Sequence, residues 1–230
     1  MSAERLHIRP GGALQGETRV PGDKSISHRA VMLAALAQGV SEVRGWLAAG
    51  DTEASLRAVQ ALGVPVERDG PHRLTIHGGE LRPAAGPLDL VHAGTGIRLM
   101  AGIMAGQPFE SVLTGSEQLR RRPMRRVIEP LRLMGADIEG DDMRAPLRIR
   151  PAALRGIEYT LPVASAQVKS ALLLAGLFAS GPLTVIQPGP ARDHTERMLA
   201  ALGGDLVVDG NAVTLRPGAR LAKMPTCEAS

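Results

Sequence analysis

Three stretches of the chain are apolar almost without interruption: Ala30 to Ala37, Leu99 to Ala105 and Ala171 to Ala179. Helices apolar on every face belong in an interior, so each stretch predicts a buried helix. After each comes the same order of features: a short strand, a second helix ending at glycine, then a hairpin. The marker glycines are Gly63, Gly135 and Gly203, 72 and 68 residues apart. Glycine there suits a left-handed C-terminal cap. The second helices have readable starts at Asp51-Thr52, at Pro123 in a first-turn position, and at Asp193, where Glu196 completes a capping box. Pro130 predicts a kink in the middle one or a shift of its start. The strands alternate, as in Val64-Pro65-Val66-Glu67 and Leu206-Val207-Val208-Asp209. Asp69-Gly70, Asp141-Asp142 and Asp209-Gly210-Asn211 mark the hairpin turns. The fold class is α/β. Three like units pack most simply about a pseudo-threefold axis, with apolar helices inside and sheets outside. A solenoid is the rival, but its repeats are usually shorter.

Composition narrows the class. At 44% hydrophobic and 22% charged, the chain can bury a sizeable core, and with 2% aromatics that core must be aliphatic. Cys227 is the one cysteine, which excludes an internal disulfide framework and a multi-cysteine zinc site and fits a reducing compartment. No apolar run reaches membrane-spanning length. The net charge of +4 admits nucleic acid, but one Trp, one Tyr and two Phe give no platform for stacking bases. The cations sit at turns and helix starts, which favours a small acidic metabolite.

The chemistry collects at the starts of the apolar helices. Pro21-Gly22-Asp23-Lys24-Ser25-Ile26-Ser27-His28-Arg29 puts a turn, two hydroxyls and two cations in front of the first, with Ser25 or Ser27 available as cap. His92-Ala93-Gly94-Thr95-Gly96-Ile97-Arg98 opens the second, with Thr95 as cap and glycines that admit close backbone approach. Ala164-Ser165-Ala166-Gln167-Val168-Lys169-Ser170 opens the third. A helix N-terminus with free N–H groups and nearby cations holds anions. Three of them at corresponding points of a repeat predict one convergent site. Arg122, just before Pro123, and Arg192, just before Asp193, are candidates to point into it, while the rest of the Arg120 to Arg126 run reads as a solvated face. His194 reads as structural. The histidines show no metal spacing, and nucleophile-elbow, Walker and dinucleotide motifs are missing from the sequence.

The chain resembles the 5-enolpyruvylshikimate-3-phosphate synthase family, in its bacterial class with Arg-Asp-His-Thr-Glu. The resemblance rests on the stretch Pro21 to Arg29, on Ala93 to Arg98, Arg122-Pro123-Met124 and Ala164 to Ala171, and on Arg192-Asp193-His194-Thr195-Glu196. It runs from about Leu6 to Pro217. It implies transfer of the enolpyruvyl group of phosphoenolpyruvate to the 5-hydroxyl of shikimate 3-phosphate, with no metal or organic cofactor. The implied fold is two lobes, each of three βαβαββ units, with the active site between them. By position, Lys24 is expected between the two substrates as the catalytic residue. Ser25 and Arg29 are expected on the shikimate carboxylate and hydroxyls. Ser165, Ala166 and Arg192 are expected at the 3-phosphate, with Gln167 on the ring and also facing phosphoenolpyruvate. Gly94, Thr95 and Arg122 are expected at phosphoenolpyruvate, with Arg98 supporting their loop. His92 stands where the family usually has asparagine.

The resemblance also implies an organisation. Residues 1–19 would belong to the other lobe. Residues 20–218 would form the shikimate-3-phosphate-binding lobe, in repeats of about 20–85, 86–152 and 153–218. Residues 219–230 would be a tail at the crossover, and Lys223 to Ser230 do not look like the family's continuation. The family is about twice this length, and its other lobe supplies further catalytic groups. The expectation is a cytoplasmic, substrate-binding half with little or no turnover alone, whose partners are the two small substrates and the missing lobe, with neither nucleic acid nor membrane. Two rivals are a lobe of the related transferase acting on UDP-N-acetylglucosamine, against which Asp23 to Arg29 argue, and a basic nucleic-acid-binding module.

Overall fold

A computed structural model describes residues 7, 11–13, 15–18, 20–224 and 226–229. Leu6 and much of the 1–19 segment lie outside the described residues. The first repeat contains α1 (Lys24–Leu36), β1 (Gly39–Arg44), α2 (Gly50–Ala61), β2 (Val66–Arg68) and β3 (Arg73–Gly78). The second contains β4 (Leu88–Asp89), α3 (Gly94–Ala105), β5 (Ser111–Thr114), the short α4 (Glu117–Arg120), α5 (Arg125–Leu133), β6 (Asp137–Asp141) and β7 (Arg144–Arg150). The third contains β8 (Glu158–Thr160), α6 (Ala166–Gly176), β9 (Leu183–Ile186), α7 (His194–Ala201), β10 (Asp205–Asp209) and β11 (Ala212–Arg216). One more strand, β12 (Cys227–Glu228), closes the chain's topology.

The strands make three four-stranded sheets of one design, ordered β12-β1-β3-β2, β4-β5-β7-β6 and β8-β9-β11-β10. Each has one parallel pair beside antiparallel pairs. In the second and third sheets the parallel strand precedes its apolar helix in sequence. In the first sheet it comes from the far end of the chain, with Val43 opposite Cys227 and Arg44 opposite Glu228. The Ala229 N–H then donates to the Arg44 carbonyl, and the Asp23 N–H donates to the Ala229 carbonyl at 2.6 Å. The tail therefore completes the first unit and abuts the turn that opens α1.

The core follows from the sequence pattern. The apolar helices α1, α3 and α6 are almost wholly buried. Helix α3 meets α6 so closely that a Cβ on Gly102 would lie 2.1 Å from the Ala171 carbonyl oxygen. The strands alternate, sending Leu74 and Ile76, Leu147 and Ile149, and Val213 and Leu215 inward. The marker glycines each take a positive φ of 84°, 99° and 82° just past α2, α5 and α7. Asp142 and Met143 both take positive φ in the β6–β7 turn. Pro130 sits inside α5 without ending it, and Pro123 lies outside the first turn because Met124 is the N-cap residue. Among the described residues no helix is long and apolar enough to cross a membrane.

Candidate functional site

The starts of α1, α3 and α6 are tied together by side chains. Helix α1 is capped by Asp23, whose Oδ1 accepts from the Ile26 N–H at 2.8 Å. Neither expected serine caps it. The Ser27 hydroxyl is fully buried and accepts from the Leu47 N–H at 3.0 Å, a partner twenty residues away. Ser25 accepts from Arg29 instead, at 2.6 Å. The Lys24 ammonium reaches out to Asp51 Oδ2 at 3.2 Å, with its side chain 56% exposed.

At α3 the N-cap position is Ala93, which has no side-chain acceptor, so Thr95 lies inside the helix and does not cap it. Its hydroxyl accepts from Gln167 Nε2 at 2.9 Å, which joins the start of α3 to that of α6. Arg126 donates to the Oε1 of the same glutamine at 3.2 Å. Gly94 lies against two guanidinium groups. A Cβ there would be 2.5 Å from Arg122 Nη1 and 3.0 Å from Arg98 Nη1. Arg98 itself is buried and donates to the Gly94 carbonyl at 2.7 Å and the Pro123 carbonyl at 3.2 Å. At α6, Ser165 is the N-cap and accepts from the Val168 N–H at 3.4 Å.

Helix α7 has Asp193 at its N-cap with no side-chain bond, so the expected capping box does not form. Glu196 turns inward and pairs with Lys169, which is 0% exposed and also donates to Gln187 Oε1 at 3.1 Å. Thr195, one residue earlier, accepts from Arg29 Nε at 2.7 Å, and Ser170 of α6 accepts from Arg29 Nη2 at 2.7 Å. Arg29 is thus only 2% exposed and binds groups from α1, α6 and α7. Arg192 is exposed at the head of α7, and its charge acts on both Arg29 and His194.

A shared geometry runs through the three starts. Arg29 bonds to the Ser25 carbonyl, Arg98 to the Gly94 carbonyl and Ser170 to the Ala166 carbonyl. Each is a side chain reaching the carbonyl four residues before it. Counted from the N-caps Asp23, Ala93 and Ser165, Gly94 and Ala166 are the first helical residues of α3 and α6, and Ser25 is the second of α1.

Burial dominates the electrostatics. It brings the Arg29 guanidinium down to about 10, against the opposing pull of Glu196, and brings Arg98 down to about 10, where Arg126 and Arg122 push the same way. Both stay charged at neutral pH. His28 is held at about 4 by burial, with Nδ1 on the Ser55 hydroxyl at 2.8 Å, and is neutral. The face thus gathers Lys24, Arg29, Arg98, Arg122, Arg126 and Arg192 around helix N-termini, an arrangement that holds anions. In the basic run, Arg121 pairs with Glu117 and Arg125 with Glu129. Among the described residues no group of three or more His, Cys, Asp or Glu converges on a metal position. A cavity of about 450 Å³ lined by Leu36, Gln107 and Phe178 sits past the C-terminal ends of the same three helices and shares no residue with this face.

Sequence reading missed Asp23, Asp51, Arg126, Ser170, Thr195 and the Lys169–Glu196 pair. For Ser170 the four-residue spacing from Ala166 was an available signal. For Thr195 the partner is 166 residues away, so nothing local could reveal it.

A family model for EPSP synthase (3-phosphoshikimate 1-carboxyvinyltransferase) matches residues 8–228. The match passes Pro217 and takes in most of the tail expected to depart from the family, in keeping with the place of β12 in the first sheet. The 3-phosphoshikimate 1-carboxyvinyltransferase of Methylococcus capsulatus is 55% identical over 218 residues, covering 93% of this chain and 50% of that protein. The enzyme of the same name from Alkalilimnicola ehrlichii is 55% identical over 223 residues, covering 94% and 50%. A solved EPSP synthase from Acinetobacter baumannii superposes with a TM-score of 0.89 at 44% identity, over 93% of this chain and 49% of that one. The chain spans about half the length of the curated relatives it matches.

Proposed function

We propose a function from one premise: the chain belongs to the EPSP synthase family. It is the shikimate-3-phosphate-binding half of an enolpyruvyl transferase. In the full reaction the 5-hydroxyl oxygen of shikimate 3-phosphate bonds to the enol carbon of phosphoenolpyruvate. That carbon's bond to the phosphate oxygen breaks, and inorganic phosphate leaves as the hydroxyl proton is given up. Residues 20–218 form the binding lobe in three repeats, residues 1–19 belong with the other lobe, and 219–230 lie at the crossover. A cytoplasmic location goes with this reading.

One observation carries it: buried Arg29 ties the start of α1 to α6, and the Gln167–Thr95 bond ties α6 to α3, so three repeated helix starts share one cationic face. Lys24 stands between the two substrates, where an ammonium can stabilise charge as the hydroxyl attacks. Ser25 and Arg29 take the carboxylate and hydroxyls. Ser165, the Ala166 N–H and Arg192 take the 3-phosphate, with Gln167 against the ring. Gly94, Thr95, Gln167 and Arg122 face phosphoenolpyruvate, and Arg98 braces their loop. Three helix ends at about 0.3–1 kcal/mol each, with several charge-assisted hydrogen bonds at about 1.5–3 kcal/mol, can offset the entropic cost of holding a small ligand.

Phosphate release from both substrates tests the reading. The chain alone gives none, and adding the complementary half of a relative as a separate chain restores it. Failure of the mixture to turn over, with both halves folded, would overturn the reading, and turnover by the chain alone would overturn its incompleteness.

A further inference from the structure

Beneath the cationic face lies a closed set of polar groups that the roles above do not use. Thr195 and Ser170 are each 1% exposed, and their hydroxyls are engaged with groups of the fold. Their hydrogen bonds have a direction. A serine hydroxyl has one proton to donate and two lone pairs. The Ser170 proton goes to the Ala166 carbonyl at 2.6 Å. The Thr195 hydroxyl, 2.7 Å from Ser170 Oγ, must then be the donor between them. Ser170 accepts from Thr195 and from Arg29 Nη2, so its lone pairs are filled. Thr195 keeps its acceptor side for Arg29 Nε. Arg29 Nη1 is spent on the carbonyl and hydroxyl of Ser25. The guanidinium is fixed on both edges, and of its five N–H donors the second on Nη2 is left for a ligand.

We infer that Thr195 and Ser170 are positioning residues, which set the plane of the Arg29 guanidinium for shikimate 3-phosphate and couple it through the Thr195–Ser170–Ala166 chain to the phosphate end of the same ligand. This rests on the function proposed above. The chain of bonds leaves Arg29 one orientation in the unliganded fold, so binding needs no rearrangement of a long side chain. It also links the two ends of the ligand: Arg29 belongs to α1, whereas Ala166 opens α6. The neighbouring Lys169–Glu196 pair supplies the carboxylate that compensates Arg29 from behind.

The test compares the native chain with Thr195→Val, which keeps shape and loses the hydroxyl, and Thr195→Ser, which keeps the hydroxyl and loses a methyl. Ser170→Ala serves as a second removal if Thr195→Val does not fold, since alanine suits a helix. Two readouts are taken: the Kd for shikimate 3-phosphate by calorimetry, and hydrogen exchange of the Arg29 Nε–H by NMR. Thr195→Val raises Kd about tenfold and speeds the exchange, while Thr195→Ser stays within about threefold, as one hydrogen bond to a charged group requires. A packing role reverses the order, because Thr195→Ser then binds worse than Thr195→Val. That reversal, or native affinity in Thr195→Val and Ser170→Ala, overturns the proposal. Should the native chain itself not bind, the functional reading has failed. The exchange data then decide the hydrogen-bond chain alone, and equal protection in native and Thr195→Val overturns it.

Discussion

Arg29 and Arg98 lie near the starts of two apolar helices, each bonded to the carbonyl four residues before it, and they are kept in opposite ways. Arg29 is surrounded by hydroxyls from Ser25, Ser170 and Thr195, with Glu196 as countercharge. Arg98 has two backbone carbonyls and a buried Nε without a hydrogen-bond partner among the described residues. The charges that act on it are Arg126 and Arg122, both of its own sign. Both guanidiniums are lowered to about 10 by burial, so the contrast lies in compensation and not in depth. One corner is complete before any ligand arrives and can fix a ligand's orientation. The other carries surplus positive charge, which favours an anion beside it. Under the proposed function, the first serves shikimate 3-phosphate and the second phosphoenolpyruvate.

The contrast breaks most visibly on replacement by an apolar residue. Arg29→Met removes one of the two cations facing Glu196, which keeps Lys169, and empties acceptor sites on Ser25, Ser170 and Thr195, so urea unfolding should show a loss of about 3–5 kcal/mol, the usual result of removing one side of a buried charged network. The next largest effect is a pH dependence confined to the Arg29 corner. His28 is held at about 4 by burial, against an ordinary 6.5. The unfolded chain takes up a proton as pH falls through 6.5, and the fold does not until about 4. Stability is therefore full above pH 6.5 and declines by ~3 kcal/mol between those values. His194, also lowered by burial, adds the same sign. His28→Gln should flatten most of that slope in unfolding curves taken from pH 7 to pH 4.

At the other corner, substitutions should spare the fold and change ligand affinity. Gly94→Ala places a methyl against the ends of the Arg122 and Arg98 side chains, which can shift at small cost. Calorimetry should show phosphoenolpyruvate affinity reduced about tenfold, with stability unchanged or raised by up to ~1 kcal/mol because alanine favours a helix. Smallest is the structural effect of Arg98→Met. With no countercharge to strand, it should stay within about 1 kcal/mol of native stability or exceed it. A loss as large as that of Arg29→Met would erase the contrast.

What could be read from the sequence depended on the range of the interaction. The apolar runs of α1, α3 and α6 and the glycines at 63, 135 and 203 follow from local periodicity and backbone conformation, and they suffice to give three repeats. The hairpin turns at Asp141-Asp142 and Gly210-Asn211 are equally local. Caps were less legible. Asp23, Ser25 and Ser27 all have the right chemistry for α1, and the choice fell to Asp23 because Arg29 and the Leu47 N–H engage the two serines from elsewhere. Glu196 left the expected capping box for a buried lysine on another helix. The strand β12 is two residues long, too short for a pattern, and it pairs with a strand 184 residues earlier, Val43 opposite Cys227. For the site, the motifs marked where the helix starts lie, but the bonds between the starts join repeats 72 to 166 residues apart.

The central claim is that this half-length chain already holds a formed shikimate-3-phosphate site. Titrating the folded chain with shikimate 3-phosphate in a calorimeter tests it most directly. The account predicts saturable binding at millimolar affinity or tighter, weakened by Arg29→Met far more than by Arg98→Met. A folded sample that shows no binding up to millimolar ligand would contradict it.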